Sequence, residues 1–183
     1  REPSILWLGV SGVALALFYH SPPLRLSYRG LGELAVGLAY GPGITAGTYL
    51  VQRGRIDAQV VLASLPLGLL IAAFLLINEF PDAWADEAAG KRTLVVRLGR
   101  PRAARLYGGL VGLAWVGFVM LPLLGLSPGI LAGLAGLPLS LRALRRLRLT
   151  PEQTPTVVPA QAWTLGAFVL MGILGGLGAA LVG

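Results

Sequence analysis

The sequence predicts an all-α integral membrane protein with six transmembrane helices, and three observations lead there. Of the residues, 55% are hydrophobic and only 13% charged, against roughly 25% charged in soluble domains. The charges are gathered into short segments, which leaves charge-free runs over Pro3–Tyr19, Leu34–Gln52, Ala58–Asn78, Leu106–Leu141 and Gln153–Gly183. Those runs are continuously apolar, with no alternation of period two. That selects helices over a barrel, because a bilayer offers backbone groups no partner outside the segment.

A helix needs about 20 residues to cross the hydrocarbon. The first span, 4–20, is short for a crossing, and the chain opens on Arg1 rather than Met, so further sequence is expected before it. Spans at 33–52 and 58–79 follow from the next two runs. The run Leu106–Leu141 is 36 residues long and holds two crossings, 104–124 and 129–147, turned around Gly125–Gly129. The last span is 161–182. Pro66 and Pro138 fall inside spans and are expected to kink or break them locally. Glycines at four-residue spacing (Gly37/Gly41, Gly43/Gly47, Gly108/Gly112, Gly129/Gly133, Gly172/Gly176) offer surfaces where helix backbones can approach, or simply reflect 26 glycines in the chain.

No soluble domain or repeat is visible, so residues 1–183 read as a single transmembrane domain, with one long polar loop at 79–103. With no Cys, disulfides and thiolate metal sites are excluded. The net charge of +7 would suggest nucleic acid in a soluble protein. Its placement says otherwise. Six spans put loops 20–32, 79–103 and 148–160 on one face with twelve of the fifteen cations, and leave Arg1, Arg53 and Arg55 opposite. The cation-rich face is therefore cytoplasmic. The expectation is a multi-pass protein of the inner (plasma) membrane, its C-terminus on the far side, its partner the lipid bilayer and not nucleic acid. Arg142, Arg145, Arg146 and Arg148 read as headgroup contacts.

Four of the eight acids, Glu79, Asp82, Asp86 and Glu87, stand within nine positions. Asn78, Asp82 and Asp86 are spaced by four, so on a helix they form one stripe. Pro81 cannot donate to the Ile77 carbonyl, which predicts that the membrane helix ends or kinks near Asn78 and a new one starts at Pro81. Like charges at this spacing cost ~0.2–0.5 kcal/mol, so stability does not account for them. A hard divalent cation does: Mg²⁺ takes one or two carboxylates, waters and substrate phosphates. Lys91 and Arg92 follow at once and suit the remaining phosphate oxygens. The plainer reading, solvated charges of a cytoplasmic loop, stands beside this one.

The stretch Ile77–Arg100, INEFPDAWADEAAGKRTLVVRLGR, resembles the second aspartate-rich motif of the UbiA superfamily of intramembrane prenyltransferases. Tyr19–Glu33, YHSPPLRLSYRGLGE, resembles the segment between the fourth and fifth helices of the branch that prenylates 1,4-dihydroxy-2-naphthoate for menaquinone. The resemblance implies a nine-helix bundle of which this chain supplies helices four to nine, the first aspartate-rich motif lying before Arg1. It further implies Mg²⁺-dependent transfer of a polyprenyl chain from an allylic diphosphate to an aromatic acceptor. Asp82 and Asp86 would then be catalytic metal ligands, Asn78 an outer ligand, and Lys91, Arg92, Arg25 and Arg29 diphosphate contacts. Tyr19, Tyr28, Phe80 and Trp84 are candidates to face the prenyl cation, or belong to the interfacial aromatic belt. The sole histidine, His20, is a candidate base or a structural residue. Prenyl transfer to 4-hydroxybenzoate or a lipid alcohol, a transporter, and an inactive scaffold of the same fold are the alternatives.

Overall fold

The computed structural model describes residues 4–182, which are helical apart from short turns, with no strand among the described residues. Helix α1 is Ser4–His20, followed by a connection containing one 3₁₀ turn, Leu26–Tyr28. Helix α2, Gly32–Arg53, contains a π turn at Ala39–Gly43, where Pro42 interrupts the regular ladder. Helix α3 is Ala58–Ala88, α4 the short Leu94–Leu98, and α5 Arg100–Leu124. A 3₁₀ segment, Pro128–Gly136, leads into α6, Leu137–Leu149, and α7 is Thr154–Val182.

Among the described residues, α2, α3, α5 and α7 are long and apolar enough to cross a membrane. They coincide with four of the six expected spans. Helix α1 is apolar but only 17 residues long, and it buries none of them. The expected span 129–147 is not one α-helix but two pieces. Pro138 sits in the first turn of α6, and before it Gly129, Gly133 and Gly136 press on the α7 backbone. A Cβ on Gly133 would lie 2.8 Å from the Met171 carbonyl, and one on Gly136 2.7 Å from that of Ala167. At about 2 Å of rise per 3₁₀ residue and 1.5 Å per α-helical residue, the two pieces together exceed the ~30 Å of hydrocarbon.

The core runs along α3, α5, α6 and α7: Leu70, Leu76, Ile77 and Phe80 pack against Tyr107, Val111, Phe118, Leu147, Ala160 and Met171. The Tyr107 hydroxyl, fully buried there, bonds Thr164 Oγ1 at 2.7 Å. Helices α2 and α3 cross with their backbones touching, since a Cβ on Gly68 would meet the Gly37 carbonyl at 2.6 Å. Gly37/Gly41 and Gly129/Gly133 are thus true interfaces, whereas Gly112 and Gly176 face open space.

Helix α3 departs from expectation at Pro81. It runs unbroken to Ala88, so the residues from Pro81, expected to begin a separate helix within the polar segment 79–103, are instead its last turns. The carbonyl that Pro81 leaves unbonded, that of Ile77, accepts instead from Gln161 Nε2 of α7 at 3.4 Å. One turn on, Phe80 O accepts from Arg100 Nη2 at 2.8 Å, and Arg100 Nη1 also donates to Glu152 O at 2.6 Å. Side chains from two other elements thus bond α3 carbonyls just before Pro81. Gly90, at φ 70°, then ends the helix, letting Lys91 N–H return to Asp86 O at 2.8 Å.

Candidate functional site

Because α3 stays helical, the spacing of four becomes a real stripe. Asn78, Asp82 and Asp86 line one cavity of about 250 Å³ with Leu75, Glu79, Lys91, and with Tyr19, His20 and Ser27 from the end of α1 and the loop after it. Lys91 reaches the cavity through the turn at Gly90 and donates to both Asp86 oxygens, at 3.1 and 3.2 Å. Both partners are largely shielded from solvent, at 28% and 15% side-chain exposure, so this charge-assisted pair is firmer than a surface one. Asp82 is exposed and forms no ion pair among the described residues.

Two loops close the cavity. Ser27 Oγ donates to Tyr19 O at 2.8 Å and lies 3.2 Å from His20 Nδ1, which folds the 21–31 connection back on α1. Arg92 N–H donates to Tyr28 O at 3.0 Å, joining that connection to the Gly90–Thr93 turn. The Thr93 hydroxyl then caps α4 by accepting from Val96 N–H. The two segments singled out by resemblance are therefore bonded to each other in space.

The remaining sequence candidates are sorted by this geometry. Tyr19 lines the cavity and packs edge-on against His20 at 4.7 Å. Tyr28 lies outside the lining, beneath the Arg25 guanidinium at 4.5 Å. Arg25 and Arg29 are exposed, and Arg29 donates to Pro23 O at 3.0 Å. Arg92 contributes its backbone while its side chain is exposed. Trp84, 80% exposed, faces a separate groove beside Glu87 and Arg100, since it stands two residues from Asp82 on the helix. Phe80 is a core residue, 1% exposed.

Sequence reasoning gave no role to Glu33 and Glu79, which the fold makes neighbours. Glu33 enters from the first turn of α2, is 4% exposed, and meets the Glu79 carboxyl, with no other side-chain hydrogen-bond partner among the described residues. Glu79 lines the cavity one position out of register with the stripe, and its Oε2 accepts from Val95 N–H at 3.5 Å. No periodicity links residues on different helices, so no local signal pairs them. Among the described residues no group of three or more His, Asp or Glu is arranged to hold a metal ion. This chain's oxygen donors at the stripe are two carboxylates and one amide.

Comparison with known proteins decides the family. A profile of the UbiA prenyltransferase family matches residues 2–165. The chain belongs to that family. It is 34% identical over 170 residues to a 1,4-dihydroxy-2-naphthoate octaprenyltransferase of Mycobacterium tuberculosis, covering 89% of this chain and 58% of that protein. A second protein of the same description, from Mycobacterium leprae, is 30% identical over 180 residues, covering 93% and 60%. A 2-carboxy-1,4-naphthoquinone phytyltransferase of Synechocystis is 34% identical over 97 residues, covering 51% and 32%. The chain thus spans about three fifths of the length of its mycobacterial relatives. No solved structure matches it.

Proposed function

We propose that this UbiA-family chain forms part of a membrane prenyltransferase that moves a polyprenyl group from an allylic diphosphate to an aromatic quinone precursor, 1,4-dihydroxy-2-naphthoate. The observation that carries the reading is the single cavity wall bearing Asn78, Asp82 and Asp86, with Lys91 beside them. The printed activities of the relatives support the acceptor class.

The donor set suits Mg²⁺, a hard cation that keeps waters and phosphate oxygens alongside one or two carboxylates. Asp82, which is exposed, and Asp86 would hold it, with the Asn78 amide as an outer ligand. Bound there, the ion would supply charge neutralisation for a departing diphosphate. Lys91 contributes a second positive charge at the same wall, fixed in advance by Asp86, and such preorganisation is the usual source of large electrostatic rate effects. Tyr19 lines the same cavity, and an aromatic ring there would stabilise developing positive charge on the allyl carbon. Arg92, Arg25 and Arg29 lie outside the cavity lining, and their role as diphosphate contacts rests on the resemblance of their segments alone.

Twelve of the fifteen cations lie in the segments at this end of the bundle, which supports a cytoplasmic site in a plasma-membrane protein. The test is prenyl transfer by the full-length protein in lipid nanodiscs, assayed with and without Mg²⁺. Turnover should require the ion and fall at least about 100-fold in Asp82→Ala and Asp86→Ala without loss of thermal stability. Wild-type rates in either variant would remove the site assignment. A preference for 4-hydroxybenzoate over 1,4-dihydroxy-2-naphthoate would remove the acceptor assignment.

A further inference from the structure

We propose that Glu79, backed by Glu33, is the acceptor-recognition wall of the cavity, taking a hydrogen bond from a ring hydroxyl of the aromatic substrate; this rests on the prenyl-transfer reading above.

Buried Glu33 and half-buried Glu79 form a carboxyl pair that the diphosphate machinery does not use. Glu79 follows Asn78 by one residue, so its side chain is turned roughly 100° from the Asn78–Asp82–Asp86 stripe, toward α2 and α4. Lys91, the cation of the cavity, gives its donors to Asp86 rather than to either glutamate. Glu79 has the Val95 N–H, at a long 3.5 Å, with the Thr93 hydroxyl and the Glu33 carboxyl as its other neighbours. Glu33 is almost wholly buried, and among the described residues its oxygens meet only the Glu79 carboxyl and its own backbone N–H, so a proton shared by the pair leaves their other oxygens uncompleted. Buried acceptors left in that state are costly and are retained where something else completes them.

The chemistry of the two substrates selects which one does so. A polyprenyl diphosphate brings oxygen acceptors and hydrocarbon, and has no donor to give a carboxyl. A dihydroxy-aromatic ring brings hydroxyl donors on a flat apolar body. The surroundings fit that body: Leu75 lines the cavity beside Glu79. The stem of Glu33 lines an apolar groove with Leu34, Leu69, Leu94 and Leu106. The pair therefore stands between a polar cavity suited to diphosphate and an apolar groove, where a ring bearing hydroxyls on one edge would be bound. Glu79 is the contact residue and Glu33, behind it, a positioning residue.

Steady-state kinetics of the full-length protein in nanodiscs, varying each substrate in turn, tests the assignment. Glu79→Leu should raise KM for 1,4-dihydroxy-2-naphthoate about tenfold or more while KM for the polyprenyl diphosphate moves less than about twofold. Glu79→Gln, which keeps an acceptor oxygen, should restore most of the loss, and Glu33→Gln should shift the acceptor KM in the same direction by less. A monomethyl ether of the acceptor, lacking one donor, should be a poorer substrate for wild type yet equivalent to the parent for Glu79→Leu. If wild type transfers prenyl groups but Glu79→Leu raises the diphosphate KM equally, or lowers kcat alone, the inference is wrong. If Glu79→Leu does not fold, wild-type indifference to every hydroxyl methylation overturns it by itself. A wild type that prenylates no hydroxyaromatic overturns the underlying functional reading instead.

Discussion

Removing Gln161 should destabilise the protein only because Pro81 is where it is. Pro81 deprives the Ile77 carbonyl of its helical partner, and Gln161 Nε2 fills the gap from α7 at 3.4 Å. Hydrogen bonds inside membrane proteins average ~0.6 kcal/mol and reach ~1.7 kcal/mol, while a carbonyl left buried and unpaired costs about 1–3 kcal/mol. Ile77 is fully buried, which favours the upper range, and the long bond favours the lower. Gln161→Leu should therefore cost about 1 kcal/mol. In a Pro81→Ala background the alanine N–H can take the Ile77 carbonyl through the ordinary i→i−4 bond, and the same Gln161→Leu change should then cost less than about 0.5 kcal/mol. Equilibrium unfolding of the four proteins of this cycle in mixed micelles measures the difference. Equal costs in the two backgrounds would refute the claim that Gln161 repairs the helix.

Other expectations follow from single contacts. Gly178→Ala should destabilise by about 1–3 kcal/mol in the same assay, because its new Cβ would collide with the Gly129 backbone, which cannot yield as a side chain can. Lys91→Met should raise KM for the polyprenyl diphosphate more than for the aromatic acceptor, since Lys91 stands on the Asp86 wall; the reverse ratio would dissociate it from diphosphate binding. Trp84→Ala should leave both KM values within about twofold of wild type, given that the indole is 80% exposed and faces away from the cavity. A large loss of turnover there would restore Trp84 to the site.

The six-span count shows where reading by length and hydropathy reaches its end. Both 4–20 and 129–147 are apolar enough to be named as crossings, yet whether a run becomes one α-helix depends on what packs against it. Three glycines hold Pro128–Gly136 against the α7 backbone in a 3₁₀ winding, and the sequence lists glycines without their partners. Gly68 and Gly178, which complete the two closest crossings, belong to no four-residue pair identified in advance.

Much of the site is written in local order. A spacing of four between Asn78, Asp82 and Asp86 is a helical property, and a Gly90–Lys91 turn after it is short enough to bring the cation back to Asp86; both are decided within fifteen residues of chain. The continuity of α3 through Pro81 is not local, because the donors that make it possible, Gln161 and Arg100, come from other helices. Nor is the meeting of Glu33 with Glu79 local. It depends on the angle at which α2 crosses α3, set by the contact of Gly37 and Gly41 with Gly68. Amino-acid order alone determined the membrane class and the spacing of the stripe, since these rest on hydropathy and on the 3.6-residue turn. Only the tertiary structure decided which aromatic and acidic side chains share a wall with that stripe, because side-chain neighbours across helices are set by backbone approach and crossing angle.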